Sequence, residues 1–383
     1  MDFLKIDNQL QEEEKLIRDS VKKFVSSETL SLWPEAYEKG EFPQQLIPKL
    51  AKMGLLGMTL PERYGGSDAN AVMYGLVCQE LERGDSGLRS FVSVQSSLCM
   101  YPIFRYGSEE QKQKYLPAMA QGKMIGCFGL TEPDAGSDPA SMKTVAKKVE
   151  GGWKLNGCKM WITNAPIADI AIIWAKSDEG LKGFIVETKT EGFLSQEVKM
   201  KASLRASSTG EIVMKDCFVS EKNRLPEAKS LGAPLSCLNQ ARYGIAWGSI
   251  GAAMACYDCA LNYAKERKQF GKPIASFQLV QKDLVDMLTE ITKSQFFNLQ
   301  LGRLKDLNQV TPEMISMGKM NGCRVALDVA RKARNLLGGN GISLEYPVIR
   351  HMANLESVFT YEGTDNVHHL IVGQLITGMN AFN

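Results

Sequence analysis

Ile125-Gly126-Cys127-Phe128-Gly129-Leu130-Thr131, running into Glu132-Pro133-Asp134-Ala135-Gly136-Ser137-Asp138, is the stretch at which the chain changes character. Helical spacing of apolar residues stops here. A short apolar run enters a loop of hydroxyl, carboxylate and glycine residues, which reads as a strand ending in a polar turn. Downstream, Trp153-Lys154-Leu155, then Asn156-Gly157, then Lys159-Met160-Trp161-Ile162-Thr163 predict a hairpin around the favoured Asn-Gly turn. Strand-like runs follow at 168–175, 183–188, 193–200 and 210–220.

Working outward, the flanks are helical. Leu10, Leu16, Ile17, Val21, Phe24 and Val25 recur at helical spacing over 9–30, and Pro43 opens a second helix ending at Gly54. Helical patterns cover 70–105, and Ser108-Glu109-Glu110-Gln111 is a capping-box start for one more. Beyond Pro234, periodic stretches at 236–268, 276–306, 312–337 and 364–379 with short connections predict a four-helix bundle. The expected architecture is α+β: an N-terminal helical domain (1–124), a middle antiparallel β-domain (125–233) and a C-terminal four-helix bundle (234–383).

At 383 residues, with 44% apolar and 23% charged residues, the chain is an ordinary globular protein able to bury substantial cores. A net charge of +2 without a basic block argues against a nucleic-acid partner. The most apolar run, Ile170 to Ala175, is too short to span a bilayer, and the first residues do not resemble a secretory signal. Nine scattered cysteines then suit a reducing, cytoplasmic setting. Cys256 and Cys259 lie in a helical pattern with no second pair, and three histidines are too few for a histidine-rich metal site, so no metal is expected.

Several stretches carry chemistry. Thr360-Tyr361-Glu362-Gly363-Thr364-Asp365-Asn366 places a carboxylate ahead of a helix that Thr364 or Asp365 can cap; alone, such a carboxylate is more often a solvated acid favoured by the helix dipole than a catalyst. Arg89 with Ser90 and Ser93 suits a small carboxylate, or is a solvated helix-end arginine. Arg267 at a helix end can grip a pyrophosphate or merely offset a dipole. Leu337-Gly338-Gly339-Asn340-Gly341 is a helix C-cap or a close approach to a ligand, without the strand context of a Rossmann fingerprint.

Taken in order, Leu130 to Asp138, Trp161-Ile162-Thr163-Asn164, Arg267-Lys268-Gln269-Phe270-Gly271, Leu337 to Gly341 and Tyr361-Glu362-Gly363-Thr364 resemble the acyl-CoA dehydrogenase family over essentially the whole chain. Asp85-Ser86-Gly87-Leu88-Arg89-Ser90, Cys237 to Gly248 and Tyr361-Glu362 narrow the resemblance to its glutaryl-CoA-oxidising, decarboxylating type. The resemblance implies FAD, a homotetramer, and an electron-transfer flavoprotein as acceptor. Glu362 would be the base that removes the α-proton of the thioester. Arg89, Ser90 and Ser93 would hold the remote carboxylate of glutaryl-CoA, with Glu82, Tyr361 and Gly363 also at the substrate. Ser137, Asn239 and Arg242 would meet the CoA thioester. Phe128, Leu130, Thr131, Ser137, Trp161, Ile162 and Thr163 would lie on the flavin side. Arg267, Phe270, Gln278, Gly338, Gly339, Thr364 and Asn366 would hold the pyrophosphate and adenosine part. Two positions depart from the pattern: Asp365-Asn366 replaces His-Asp, and His369 stands where a smaller residue is usual. A short-chain acyl-CoA dehydrogenase, an acyl-CoA oxidase, and a binding protein without dehydrogenase activity remain the alternatives.

Overall fold

The computed structural model describes residues 2–382. The N-terminal part is helical: α1 (Glu12–Phe24), α2 (Trp33–Lys39), α3 (Ile47–Lys52), α4 (Ala71–Gly84), α5 (Ser86–Ser93), α6 (Tyr101–Tyr106) and α7 (Glu109–Ala120). Local chemistry sets the starts. Asn70 accepts from the Met73 N–H at 2.7 Å, and Asp85 accepts from the Gly87 N–H at 2.7 Å. The expected capping box is present, with Ser108 and Gln111 bonding each other's main chain at 3.3 and 2.9 Å. α4 is buried along almost its whole length, as its lack of a polar stripe demands.

The middle part is one seven-stranded sheet: β1 (Gly126–Gly129), β2 (Val145–Val149), β3 (Gly152–Thr163), β4 (Ile170–Ser177), β5 (Gly180–Glu187), β6 (Phe193–Glu197) and β7 (Thr209–Ser220). The order is β1-β4-β2-β3-β7-β6, with β5 on β4. Pairing is antiparallel except that β1 and β2 run parallel to β4. The Asn156-Gly157 hairpin does not exist. β3 runs straight through those residues, and the tight turn is Glu150-Gly151, with Val149 facing Gly152 and Gly151 at φ +74°. Asn156 instead accepts the Asp216 N–H at 2.9 Å across a bulge in β7, where Asp216 takes φ +48°.

The C-terminal part holds α8 (Gly232–Glu266), a small β8–β9 ribbon (Lys268–Gln269, Lys272–Pro273), α9 (Gln278–Asp306), α10 (Pro312–Leu336), α11 (Pro347–Thr360) and α12 (Asp365–Thr377). The bundle expected from four helices therefore has a fifth, α11, over residues assigned no element in the sequence reading. α4 packs along α8 so closely that a Cβ at Gly75 would overlap the Trp247 ring and one at Gly251 would strike the Gln79 carbonyl. Among the described residues no helix is long and apolar enough to cross a membrane.

Candidate active site

Tyr361-Glu362-Gly363-Thr364 is the turn between α11 and α12. Tyr361 closes α11 by donating to the Ser357 carbonyl at 2.9 Å, and Thr364 caps α12 by accepting from the Val367 N–H at 3.3 Å, as expected. Between them Glu362 sits at φ +54° and Gly363 at φ +97°. A glutamate in the left-handed region costs about 1–3 kcal/mol and persists only where its surroundings impose it. Gly363 is required twice over: its φ disfavours a side chain, and a Cβ would lie 2.9 Å from the His368 ring and 3.1 Å from Arg242 Nη2.

Two buried cations hold this turn. Arg242 of α8 donates from Nε to the Glu362 carbonyl at 2.7 Å and from Nη1 to Asn239 Oδ1 at 3.3 Å. Lys319 of α10 donates to the carbonyls of Phe359, Tyr361 and Gly363 at 3.2, 3.0 and 2.8 Å. The Glu362 side chain is left without a partner: Oε2 is buried and accepts no hydrogen bond. Burial raises its carboxyl above the ordinary value, and Arg89, Arg242 and Lys319 offset only part of that rise. Such a carboxyl is poised to take a proton.

Beside Tyr361 lies Arg89, fully buried on α5. Its Nε donates to Glu82 Oε2 at 2.6 Å, its Nη2 donates to the Tyr361 hydroxyl, and its guanidinium lies 5.7 Å from the centre of that ring. Burial alone would weaken the Arg89 charge, but Glu82, Tyr361 and Glu362 keep it protonated. Arg89 Nη1 and Glu82 Oε1 are buried without partners, and so is Ser93 Oγ, one helical turn along from Arg89. Ser90 is buried on the same helix. Asp85 secures the start of α5: Asn354 of α11 donates to it at 3.0 Å, and Arg350 lies 3.4 Å away while donating to the Gly84 carbonyl at 3.2 Å. An unpartnered carboxyl and a buried guanidinium with a free N–H group thus meet at one short turn.

The sequence matches three family models in order: acyl-CoA dehydrogenase N-terminal domain over residues 11–123, middle domain over 127–217 and C-terminal domain over 231–377. A short-chain-specific acyl-CoA dehydrogenase of Clostridium acetobutylicum is 34% identical, with 96% of this chain and 98% of that protein covered. The chain belongs to the acyl-CoA dehydrogenase family. Its fold is also that of a glutaryl-CoA dehydrogenase from Mycobacterium smegmatis, at TM-score 0.97 and 52% identity over 99% of this chain and 98% of that one. A second structure of a glutaryl-coA dehydrogenase from that organism, in complex with FADH2, gives 0.98 and 48% over the same shares.

The acyl-CoA dehydrogenase family binds FAD. Observations of this chain fit that cofactor. Trp161 is held at φ +62° with its ring largely exposed at a strand end; Thr163 is half-buried two residues on, and so is Thr131, whose carbonyl accepts from the Met160 N–H at 2.9 Å. Phe128, Leu130 and Ile162 keep their side chains in the core, which leaves only main-chain atoms to offer. Ser137 is exposed in a loop stiffened by buried Glu132, which accepts from Lys159 at 2.8 Å and from the Lys143 and Thr144 N–H groups at 2.5 and 3.0 Å. Gly338 and Gly339 have open space where a Cβ would be, as a ligand-facing turn needs, and Phe270 is 93% exposed.

The structure does not bring all these residues together within one chain. Arg242 lies in the first half of α8 and Arg267 just past its end, roughly 37 Å further along at 1.5 Å per residue. Phe270 and Gln278 follow Arg267, and Asn340 in the Gly338–Ile342 turn donates to Tyr263 near the same end of α8 at 3.1 Å. Thr364 and Asn366, by contrast, lie beside Glu362. The two departures in sequence explain each other: Asp365 takes a bidentate ion pair from Arg324 of α10 at 2.7 and 2.6 Å, and His369 Nε2 lies 2.9 Å from Arg324. Sequence reading missed Lys319, Arg324, His368 and Arg350. A lysine or arginine on an amphipathic helix has no signature that distinguishes a buried clamp from a solvated charge.

Proposed function

We propose that this acyl-CoA dehydrogenase oxidises glutaryl-CoA and decarboxylates it to crotonyl-CoA. The observation that carries the reading is the fully buried Arg89 with an unpartnered Nη1 and, one helical turn on, an unpartnered Ser93 Oγ, with Arg89 bonded to Tyr361 of the turn that bears Glu362. A buried guanidinium N–H left empty is costly, and a carboxylate at the far end of the acyl chain would satisfy it. The likeness to solved glutaryl-CoA dehydrogenases at about half identity supports it.

Glu362 takes the α-proton of the thioester, its unpaired carboxylate being aimed by the fixed turn. Among the described residues the Glu362 N–H has no protein acceptor, so it is available to the developing enolate oxygen. Arg242, itself oriented by Asn239 Oδ1, serves that oxygen site by holding the Glu362 carbonyl and so fixing the turn. The chemistry that bound FAD would supply is acceptance of the β-hydrogen as hydride. The bond to the remote carboxylate then breaks, its electron pair entering the conjugated thioester, and protonated Glu362 returns a proton to the γ-carbon. Tyr361 and Glu82 share Arg89 with the departing carboxylate and so weaken its hold. Arg267, Phe270, Gln278, Gly338 and Gly339, far along α8 from Arg242, would serve the FAD of a neighbouring copy, which supports an oligomer, with a homotetramer as the proposed form. An electron-transfer flavoprotein is the proposed acceptor.

A neutral short-chain substrate is the second reading, because Glu82 already neutralises Arg89. Anaerobic addition of glutaryl-CoA to the purified protein separates the two. Bleaching of the flavin absorbance with release of CO2 supports the proposal; a spectrum that bleaches with butyryl-CoA alone rejects it.

A further inference from the structure

The geometry points to Lys319 as the residue that positions Glu362 and keeps its carboxylate usable as a base. The inference rests on the reading of Glu362 as the proton acceptor. Lys319 is 1% exposed, and among the described residues no carboxylate lies within ion-pair distance of its Nζ. Its acceptors are the carbonyls of Phe359, Tyr361 and Gly363, at 3.2, 3.0 and 2.8 Å. Three acceptors match the three N–H bonds of an ammonium, whereas a neutral amine offers two. The site therefore selects the charged form even though burial opposes it.

Those three carbonyls alternate from the last turn of α11 into the strained turn, those of Tyr361 and Gly363 flanking Glu362 on either side. With Arg242 on the Glu362 carbonyl itself, each main-chain oxygen from Tyr361 to Gly363 has a cationic donor. The left-handed glutamate is thereby held from two helices, α8 and α10. The same ammonium acts through space on the carboxyl. Glu362 faces Arg89 and Glu82 from the N-terminal helices, Arg242 from α8, Lys319 from α10 and Tyr361 in its own turn. Lys319 faces Cys323 on its own helix, Glu362, Arg242, and Asp365 and His368 of α12. Removing its charge leaves Glu362 with a stronger push toward the protonated, inactive form.

The test compares Lys319→Met, Lys319→Gln and Glu362→Gln, each loaded with FAD and followed by kcat, KM and the pH profile of kcat/KM. Lys319→Gln keeps donors for the turn and removes the charge; its acid limb is expected to move up by about one pH unit. Lys319→Met removes both, and kcat is expected to fall about 100-fold with KM little changed. Should Lys319→Met not accumulate folded, Lys319→Gln carries the test. An FAD-replete Lys319→Gln with an unmoved acid limb overturns the inference while leaving Glu362 as base, provided Glu362→Gln is inactive. Turnover by Glu362→Gln would instead remove the reading on which it rests.

Discussion

Arg242 Nε donates to the main-chain carbonyl of Glu362 at 2.7 Å, so α8 grips the candidate base by its backbone rather than by its carboxylate. A salt bridge to the side chain would have lowered the carboxyl pKa and tied up its oxygens. Holding the carbonyl fixes the turn and leaves Oε2 free. Arg242→Lys removes the planar fork that serves Glu362 and Asn239 together. Its kcat is expected to fall about 100-fold, with flavin absorbance retained, in steady-state assays with glutaryl-CoA.

Arg89 and Glu82 form a pair with no exposed surface, and removing one partner leaves the other buried and charged. Arg89→Met is expected to lose about 3–5 kcal/mol of stability as well as glutaryl-CoA turnover. Pairing it with Glu82→Gln should restore most of the melting temperature without restoring the dicarboxylate substrate. Thermal unfolding and kinetics on both variants separate folding from recognition.

Gly248 of α8 abuts that pair: a Cβ there would overlap Glu82 Oε2 and lie 3.1 Å from Arg89 Nε. Gly248→Ala should destabilise the fold by about 1–3 kcal/mol through overpacking. It should also lower kcat/KM for glutaryl-CoA more than for butyryl-CoA, because the displaced groups are the proposed carboxylate anchor.

His368 is fully buried beneath Gly363, and neither ring nitrogen has a partner. Burial first, then Lys319 and Arg242, push its pKa down to about 3, so it is neutral in the folded protein. In the unfolded chain it takes a proton below about pH 6.5. The unfolded state then binds more protons, and stability falls as pH drops from about 6.5 toward 3. Wild type should lose about 2 kcal/mol from this group at pH 5, and His368→Gln should show a shallower acid loss in denaturant titrations.

Much of this was legible in the chain. The Thr364 cap and the Ser108 capping box are short-range chemistry, and both stand as read. The switch from helical to strand period at 125 located the sheet, because burial of alternate faces leaves its mark on composition. Asn156-Gly157 misled, since its turn preference is local and was overridden by two neighbouring strands that pair along β3. The ordered motifs exposed Glu362, and the serine-rich stretch around Arg89 exposed that arginine, but neither showed what holds them. Lys319 binds carbonyl oxygens, which every residue carries, so no side-chain pattern announces its partners. The distance from Arg242 to Arg267 needed the unbroken length of α8.

In the proposed reaction the buried, half-satisfied Arg89 selects a dicarboxylate acyl chain for Glu362 to deprotonate. The most direct measurement is kcat/KM for glutaryl-CoA against butyryl-CoA with an artificial electron acceptor, on the FAD-loaded wild-type protein. A preference for glutaryl-CoA of about 100-fold or more, with crotonyl-CoA and CO2 as products, is expected from a buried guanidinium that a neutral chain leaves unpaired. Equal or greater efficiency with butyryl-CoA would contradict it.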